Sequence, residues 1–280
     1  MLMIKDVVLH LSTRTSHAGT LDYAVSVARA FRAHLAGVAF ALDPIIPPAM
    51  GVGDAVPPAW IDEQREQAKA AADAAIAAFE EAARRGGISA ESRRLDASLA
   101  GAATMFGEIA RRFDLSIVRQ AEPDTGPLEE LIVEAALFES GRPVLVVPYV
   151  RKEPLRLDRV MVCWDGSRSA ARALGDAIPL LGGAKSVEVV SVLGEKGKGD
   201  EIPGADVGEH LARHDFEVDV KRIPAIDGDV MDAILSHAAD AGTDLLVMGG
   251  YGHSRLREFI LGGVTRGILK TMTVPCLMSH

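Results

Sequence analysis

A glycine-rich segment in the C-terminal half is the part of the sequence best suited to chemistry. It holds glycines at fixed spacing, Gly249, Gly252, Gly262 and Gly263. Glycine permits a positive φ and lets backbone N–H groups approach an anion closely. A helix is predicted to begin at Gly263 or Val264, and the unpaired N–H groups and dipole of a helix start favour phosphate. The segment therefore predicts a phosphate-binding loop.

Asp165 is the second candidate, because it follows the apolar run at 160–163. A carboxylate at the end of a strand can accept hydrogen bonds from a base amine or from ribose hydroxyls. Ligands of open α/β sheets bind outside the carboxyl ends of the strands, where the strand order reverses. If the order is 3-2-1-4-5, Asp165 and Gly249 end neighbouring strands and face one crevice.

Alternating strand and helix patterns surround these candidates. The strand signals are short Val/Ile/Leu runs at 4–11, 115–118, 144–147, 160–163, 187–193, 245–248 and 274–278. Such runs are typical of parallel sheets, which are buried on both faces. Helical stripes lie between them, including an Ala-rich helix over 61–85, stopped by Gly86-Gly87, and a helix at 230–238, capped by Asp227 or Asp229. The alternation predicts an α/β fold with Rossmann-like or flavodoxin-like open parallel sheets of order 3-2-1-4-5 and helices on both faces.

The two halves of the chain resemble each other. The matching segments are 4–9 with 157–162, 113–118 with 243–248, and 142–146 with 274–278. We therefore predict two tandem domains, residues 1–150 and 151–280, with the boundary at 149–155. The first half also carries a Pro-rich insertion at 43–58, interpreted as a surface loop, with a flap or partner contact as the alternative.

Composition narrows the classes of function. Of the 280 residues, 48% are hydrophobic and 5% aromatic, so aliphatic side chains must build the core. The net charge of −9 argues against a nucleic-acid partner, which requires clustered Lys and Arg. The first residues lack signal-peptide features, and no apolar run approaches the roughly 20 residues that span a bilayer. We expect a cytoplasmic protein without membrane contact, in which Cys163 and Cys276 are buried thiols.

The spacing of Gly249, Gly252 and Gly262 resembles the loop of ATP-binding universal stress proteins. The strand, Asp165-Gly166-Ser167 and helix opening is similar to that family too, as are the runs 244–249 and 274–277. The resemblance covers nearly all of residues 157–280 and is weaker over 1–150. It implies that the chain is a tandem, two-domain, UspA-type universal stress protein.

The resemblance also implies a ligand and its contacts. An adenine nucleotide, ATP or a relative, with or without Mg²⁺, would occupy the C-terminal half. Asp165 and the backbone of Val192 would hold the adenosine, and Met248 would line the pocket. Main-chain groups would contact the ribose and phosphates at five positions, Gly249, Gly252, Gly262, Gly263 and Val264.

Gly263 departs from the family pattern, which has Ser or Thr after the last glycine of the loop. The loss of one hydroxyl bond to a charged group costs roughly 1.5–3 kcal/mol. Thr265, two residues on, could replace part of it. The matching segment of the first half keeps one glycine and carries four carboxylates, Glu122, Asp124, Glu129 and Glu130. We therefore predict a degenerate first domain without nucleotide.

The leading function is a stress-response protein that senses or regulates through bound adenine nucleotide, with an unidentified regulatory protein as its partner. One alternative is a nucleotide-free stress protein that acts through protein–protein contacts, which the change at Gly263 favours. Another is a weak ATPase or phosphotransferase, although no catalytic residue pair or metal cluster is evident. His210 and His214 stand four apart, without an obvious third ligand, and a solvated helix face is preferred.

The resemblance has a further implication for assembly. Single-domain members of the family dimerise through their last strand. The two halves of this chain would therefore form an intramolecular pseudo-dimer through the strands at Val144–Val147 and 274–278. A homodimer of the whole chain is the additional expectation.

Overall fold

The computed structural model describes residues 3–13, 18–46, 56–123, 126–193, 204–225, 229–250 and 263–280. The first half contains β1 (Asp6–Leu11), α1 (Ala18–Phe31), β2 (His34–Leu42), α2 (Pro58–Gly86), β3 (Ala90–Ala97), α3 (Leu99–Ala110), β4 (Leu115–Arg119), α4 (Leu128–Phe138) and β5 (Val144–Val147). The second half contains β6 (Arg159–Cys163), α5 (Arg168–Leu181), β7 (Ser186–Leu193), α6 (Ala205–Ala212), β8 (Val218–Pro224), α7 (Val230–Asp240), β9 (Leu245–Gly249), α8 (Gly263–Thr271) and β10 (Cys276–Ser279). Strands and helices alternate in both, as predicted.

These strands form one sheet in the order β3-β2-β1-β4-β5-β10-β9-β6-β7-β8. Each half contributes parallel strands in the order 3-2-1-4-5, which confirms the predicted fold class. The halves meet where β5 and β10 pair antiparallel, with Leu145 opposite Leu277. This is the expected pairing, although β10 begins at Cys276 rather than at Val274. Pro275 explains the later start, because proline has no N–H to donate to a ladder.

Helices cover both faces of the sheet and enclose two apolar cores. The core beneath α1, α2, α5 and α6 contains Leu9 and Leu277. The core beneath α3, α4, α7 and α8 contains Val8 and Met278. Successive side chains of a strand point to opposite faces, so each strand supplies both cores. Both cores run across the β5–β10 junction.

Helix ends follow the local sequence signals. Helix α2 starts at Pro58 rather than at Ile61, because proline is well suited to the first turn of a helix. It ends before Gly87, whose φ of 63° lets its N–H bond the carbonyls of Ala83 and Arg84. Helix α7 is capped by Asp229, whose carboxylate accepts from the N–H of Asp232 at 3.0 Å. The alternative cap, Asp227, lies outside the described residues, as do 47–55 of the Pro-rich insertion.

The connection from β5 to β6 packs on helix α1. The N–H of Leu155 donates to Oγ of Ser26 at 2.7 Å. A Cβ at Gly19 would lie 2.0 Å from the carbonyl oxygen of Arg151, so α1 needs a glycine where this connection crosses it. The segment that was expected to separate two domains is therefore anchored to the first half.

Within the described part of the chain, no helix combines the length and the apolar character that crossing a membrane requires.

Candidate functional site

The carboxyl ends of β6, β7 and β9 and the first turn of α8 enclose a cavity of about 340 Å³. It is lined by seven of the residues singled out from the sequence, Asp165, Val192, Met248, Gly249, Gly263, Val264 and Thr265. The remaining two, Gly252 and Gly262, lie outside the described residues. The crevice between the first and fourth strands of this half thus lies where the strand order predicted it.

A tight turn after β6 positions Asp165. Its Oδ1 accepts a hydrogen bond from the N–H of Ser167 at 2.9 Å. Gly166 has a φ of 73°, which favours glycine. Ser167 then caps α5, because its Oγ accepts from the N–H of Ala170 at 3.1 Å. The exposed carboxylate of Asp165 keeps capacity for further donors, since an ionised carboxylate can accept about four hydrogen bonds.

Hydrogen bonds beyond the strand ladder fix the wall formed by β7. The N–H of Trp164 donates to the carbonyl of Val190 at 2.8 Å. In return, Oγ of Ser191 donates to the carbonyl of Trp164 at 2.9 Å. These bonds hold the end of β6 against β7, so that Val190 and Val192 form an apolar side of the cavity beside the polar turn at Asp165.

Gly249 lies where β9 passes beneath the start of α5. A Cβ at this position would lie 2.6 Å from the backbone nitrogen of Ala170 and 2.7 Å from Oγ of Ser169. Backbone atoms cannot yield as a flexible side chain would, so this position requires glycine for packing alone. The sequence predicted Gly249 only as a ligand contact, and its role in helix–strand packing was missed.

Helix α8 presents its N-terminus to the cavity. Gly263, Val264 and Thr265 all line the cavity, and the first N–H groups of a helix have no intrahelical partner. The first turn carries no acidic residue, so no carboxylate of that turn neutralises the positive end of the helix dipole. Among the residues that the structure describes, no atom lies within 4 Å of a Cβ added at Gly263, so their packing does not require glycine there.

The equivalent crevice of the first half is bridged by its own side chains. Val7 and Val160 are equivalent, because Val7 pairs with Leu115 as Val160 pairs with Leu245. Ser12 and Asp165 each lie five residues further along the chain and are therefore equivalent too. Oγ of Ser12 donates to Oε1 of Glu129 at 2.9 Å, and both side chains are buried. Glu129 and Glu130 place carboxylates in the first turn of α4, which neutralises the end of the helix that would attract phosphate.

Aromatic rings occupy the other wall of that first crevice. His10 and Phe40 stand at the positions equivalent to Cys163 and Val192. The ring of His10 lies 6.0 Å from Phe40 and 5.7 Å from Phe106, and all three are buried. Burial lowers the pKa of His10 to about 4. The positions that line a cavity in one half are therefore packed in the other.

Cys163 corrects one expectation from the sequence. It was predicted to be buried, but it is half-buried and lines the cavity. Burial of the sulfur, with a smaller effect of the Asp165 carboxylate, raises the pKa of the thiol to about 12. Cys276 is buried, as predicted, and neither cysteine is in a disulfide.

Sequence reasoning missed other cavity residues, namely Trp164, Val190, Val230 and Ile234. Val230 and Ile234 were interpreted as part of the apolar stripe by which a helix packs on the core. Ile234 is indeed buried, and it lines the cavity as well. The position of Trp164, directly before Asp165, was the available signal.

The histidine pair on α6 lies away from this cavity. His210 and His214 are exposed, with ring centroids 4.9 Å apart. Among the residues that the structure describes, no group of three or more His, Cys, Asp or Glu side chains could hold a metal ion.

Comparison with known proteins places the second half in a family. Residues 156–280 match the universal stress protein family. A universal stress protein of Synechocystis sp. is 28% identical over 150 residues, which are 52% of this chain and 49% of that protein. A universal stress protein of Methanocaldococcus jannaschii is 36% identical over 47 residues, or 17% of this chain and 29% of that protein. The matches thus span half or less of these curated relatives.

A solved structure resembles the chain over its whole length. The crystal structure of a universal stress protein from Archaeoglobus fulgidus covers 98% of this chain and 97% of its own, with a TM-score of 0.71 and 17% identity. This likeness supports the tandem arrangement of the sheet as a fold. The comparisons thus show that residues 156–280 are similar to the universal stress protein family and that the whole chain shares its fold with a solved universal stress protein.

Proposed function

We propose that residues 151–280 form a domain that binds an adenine nucleotide, with ATP the favoured form, and that the chain acts as a nucleotide-dependent sensor or regulator in the stress response. One observation carries the proposal. A single cavity of about 340 Å³ joins an exposed carboxylate, an apolar wall and an acid-free helix N-terminus. Small-molecule sites commonly have about this volume, from roughly 300 Å³ upward.

Each part of the cavity suits one part of a nucleotide. The wall formed by Val190, Val192 and Met248 can take the apolar faces of a base. Asp165 can accept hydrogen bonds from ribose hydroxyls or a base amine. The first turn of α8 favours phosphate through its N–H groups and dipole. Mg²⁺ would accompany the phosphates rather than bind a protein cluster, since it is commonly held through substrate phosphates.

Residues 1–150 would then form a second domain without nucleotide. The Ser12–Glu129 bond, the buried aromatic rings and the carboxylates of α4 all oppose an anionic ligand there. The β5–β10 pairing would make the two domains an intramolecular pseudo-dimer. We expect one nucleotide per chain. An unidentified regulatory protein would distinguish the nucleotide-bound chain from the nucleotide-free chain.

A solved universal stress protein has been described in complex with cAMP. It is 16% identical to this chain, with a TM-score of 0.35, and that likeness is too low to carry the ligand over. The case for a nucleotide therefore rests on the cavity.

A nucleotide-free stress protein that acts through protein–protein contacts is the second candidate. Gly263 favours it, because this position would carry a hydroxyl in a family-type loop and here offers only backbone. No atom of the described residues lies within 4 Å of a Cβ added at Gly263, so the packing of those residues does not account for the change.

The test is to denature freshly purified protein and identify any released nucleotide by mass spectrometry. The wild type and Asp62→Ala, a control on the exposed face of α2, should release adenine nucleotide, and Asp165→Ala should release little. Release of none by the wild type, together with no heat on titration with ATP, ADP or AMP, would overturn the proposal and favour the second candidate.

A further inference from the structure

Gln120 lies directly after β4 of the first half and reaches a helix of the second. Its Nε2 donates to the backbone carbonyl of Leu269 at 2.9 Å. Its Oε1 accepts from the N–H of Tyr149 at 3.2 Å, and its own N–H donates to the carbonyl of Val147 at 2.8 Å. The side chain is only 1% exposed. Gln120 is thus fixed by the first half while it contacts α8.

The carbonyl that Gln120 bonds belongs to the last turn of α8. The last four carbonyls of a helix have no intrahelical partner, and donors placed there complement the negative end of the dipole. Leu269 is about 9 Å along the helix from Gly263, at 1.5 Å per residue. One end of α8 therefore receives a donor from the first half while the other end lines the nucleotide cavity.

Helix α8 also packs on its own half. A Cβ at Gly267 would lie 2.2 Å from Sδ of Met231 on α7, so the two helices approach closely there. Ile268 is buried in the core. On the opposite side, Arg266 of α8 faces Glu134 of α4 across a cavity of about 60 Å³ beside Gln120. Beside Gln120, α8 and α4 thus carry opposite charges.

We infer that Gln120 is a positioning residue through which the nucleotide-free half sets the nucleotide affinity of the other half. This inference rests on the proposed function. Phosphate binding needs the first turn of α8 to be ordered at the cavity, and the bond to Leu269 holds the other end of that rigid element. By linkage, bound nucleotide should strengthen the contact between α8 and Gln120 in return.

The test uses the full chain with Gln120→Met and Gln120→Glu. Methionine keeps the size of the side chain and removes the donor, and it should weaken ATP binding about three- to tenfold, as expected for one neutral hydrogen bond. Glutamate places a carboxylate at the negative end of the helix and should weaken binding further. Gln67→Met and Gln67→Glu, at an exposed position of α2, should leave affinity unchanged.

Amide hydrogen exchange provides a readout that general destabilisation would not mimic. In Gln120→Met, exchange over 263–271 should speed up while β6 and β7 keep their protection. If the wild type binds ATP and Gln120→Met shows the same affinity and the same hydrogen exchange over α8, the inference is overturned and the proposed function stays intact. No binding by the wild type would instead overturn the proposed function, and with it this regulation.

Discussion

Oγ of Ser12 donates a hydrogen bond of 2.9 Å to Oε1 of Glu129, and both side chains are buried. The bond joins the end of β1 to the first turn of α4. The equivalent positions in the second half, Asp165 and the start of α8, line an open cavity. The same strand order thus produces one crevice closed by side chains and another that remains accessible.

Removal of that bond should destabilise the first half. Ser12→Ala leaves the buried carboxylate of Glu129 without this donor, which should lower the free energy of unfolding by about 1–3 kcal/mol. Urea denaturation measures the change. Ser89→Ala, which alters an exposed hydroxyl, is the control and should change stability by less than about 0.5 kcal/mol. Equal effects of the two substitutions would contradict the structural role of Ser12.

Two glycines of the second half should respond in opposite ways to alanine. Gly249→Ala places a Cβ 2.6 Å from the nitrogen of Ala170 and should cost about 1–3 kcal/mol of stability through overpacking. No atom of the described residues lies within 4 Å of a Cβ added at Gly175, within α5, so Gly175→Ala should stabilise by up to about 1 kcal/mol. Thermal and urea unfolding of both variants test this pair, and a neutral Gly249→Ala would be inconsistent with the close approach of β9 and α5.

Acid should destabilise the fold through His10. Burial lowers its pKa from 6.5 to about 4 in the folded chain, so the unfolded chain binds more protons between these values. The stabilising contribution is complete above pH 6.5 and is lost as the pH falls toward 4, by up to about 3 kcal/mol. His10→Leu should therefore lose less stability than the wild type between pH 7.5 and 4.5.

The matched control for that experiment is His214→Leu, since His214 is exposed. Its loss of stability on acidification should equal that of the wild type. A loss in His10→Leu as large as in the wild type would show that His10 does not contribute to acid sensitivity.

A hydroxyl restored at Gly263 should tighten nucleotide binding. The described residues leave room for a Cβ at Gly263, and Gly263→Ser adds a donor at the start of α8, which should improve ATP affinity about tenfold. Gly263→Ala adds the Cβ without the hydroxyl. It therefore separates the effect of the new hydrogen-bond donor on affinity from the effect of the Cβ on the helix. Isothermal titration calorimetry compares the three proteins, and equal affinities for Ser and Ala would argue against a phosphate at this position.

Periodicity and capping residues were sufficient to predict the framework. Short apolar runs marked the strands. Asp229 caps the start of α7 and Gly87 caps the end of α2, and both caps depend on local sequence alone. The pairing of the strands at 144–147 and 274–278 was also foreseen, from the resemblance to a family whose single-domain members dimerise through their last strand.

Contacts set by tertiary structure were not predictable. The closeness of Gly249 to α5 depends on the helix packing across β9, which no local pattern encodes. Phe40 and Phe106 are far apart in sequence, and only the fold brings them to His10. Gln120 lay in a segment interpreted as a degenerate loop, and its bond to Leu269 spans 149 residues.

The measurement that tests the account most directly is calorimetric titration of ATP with Mg²⁺ into the wild type, Gly263→Glu and Gly263→Gln. A carboxylate in the first turn favours the helix but repels phosphate, so Gly263→Glu should stay folded and lose binding, while the neutral, equally large Gln retains most of it. The wild type should bind one nucleotide per chain. Absence of wild-type binding, two sites per chain, or equal binding by the Glu and Gln variants would contradict a single phosphate site at the start of α8.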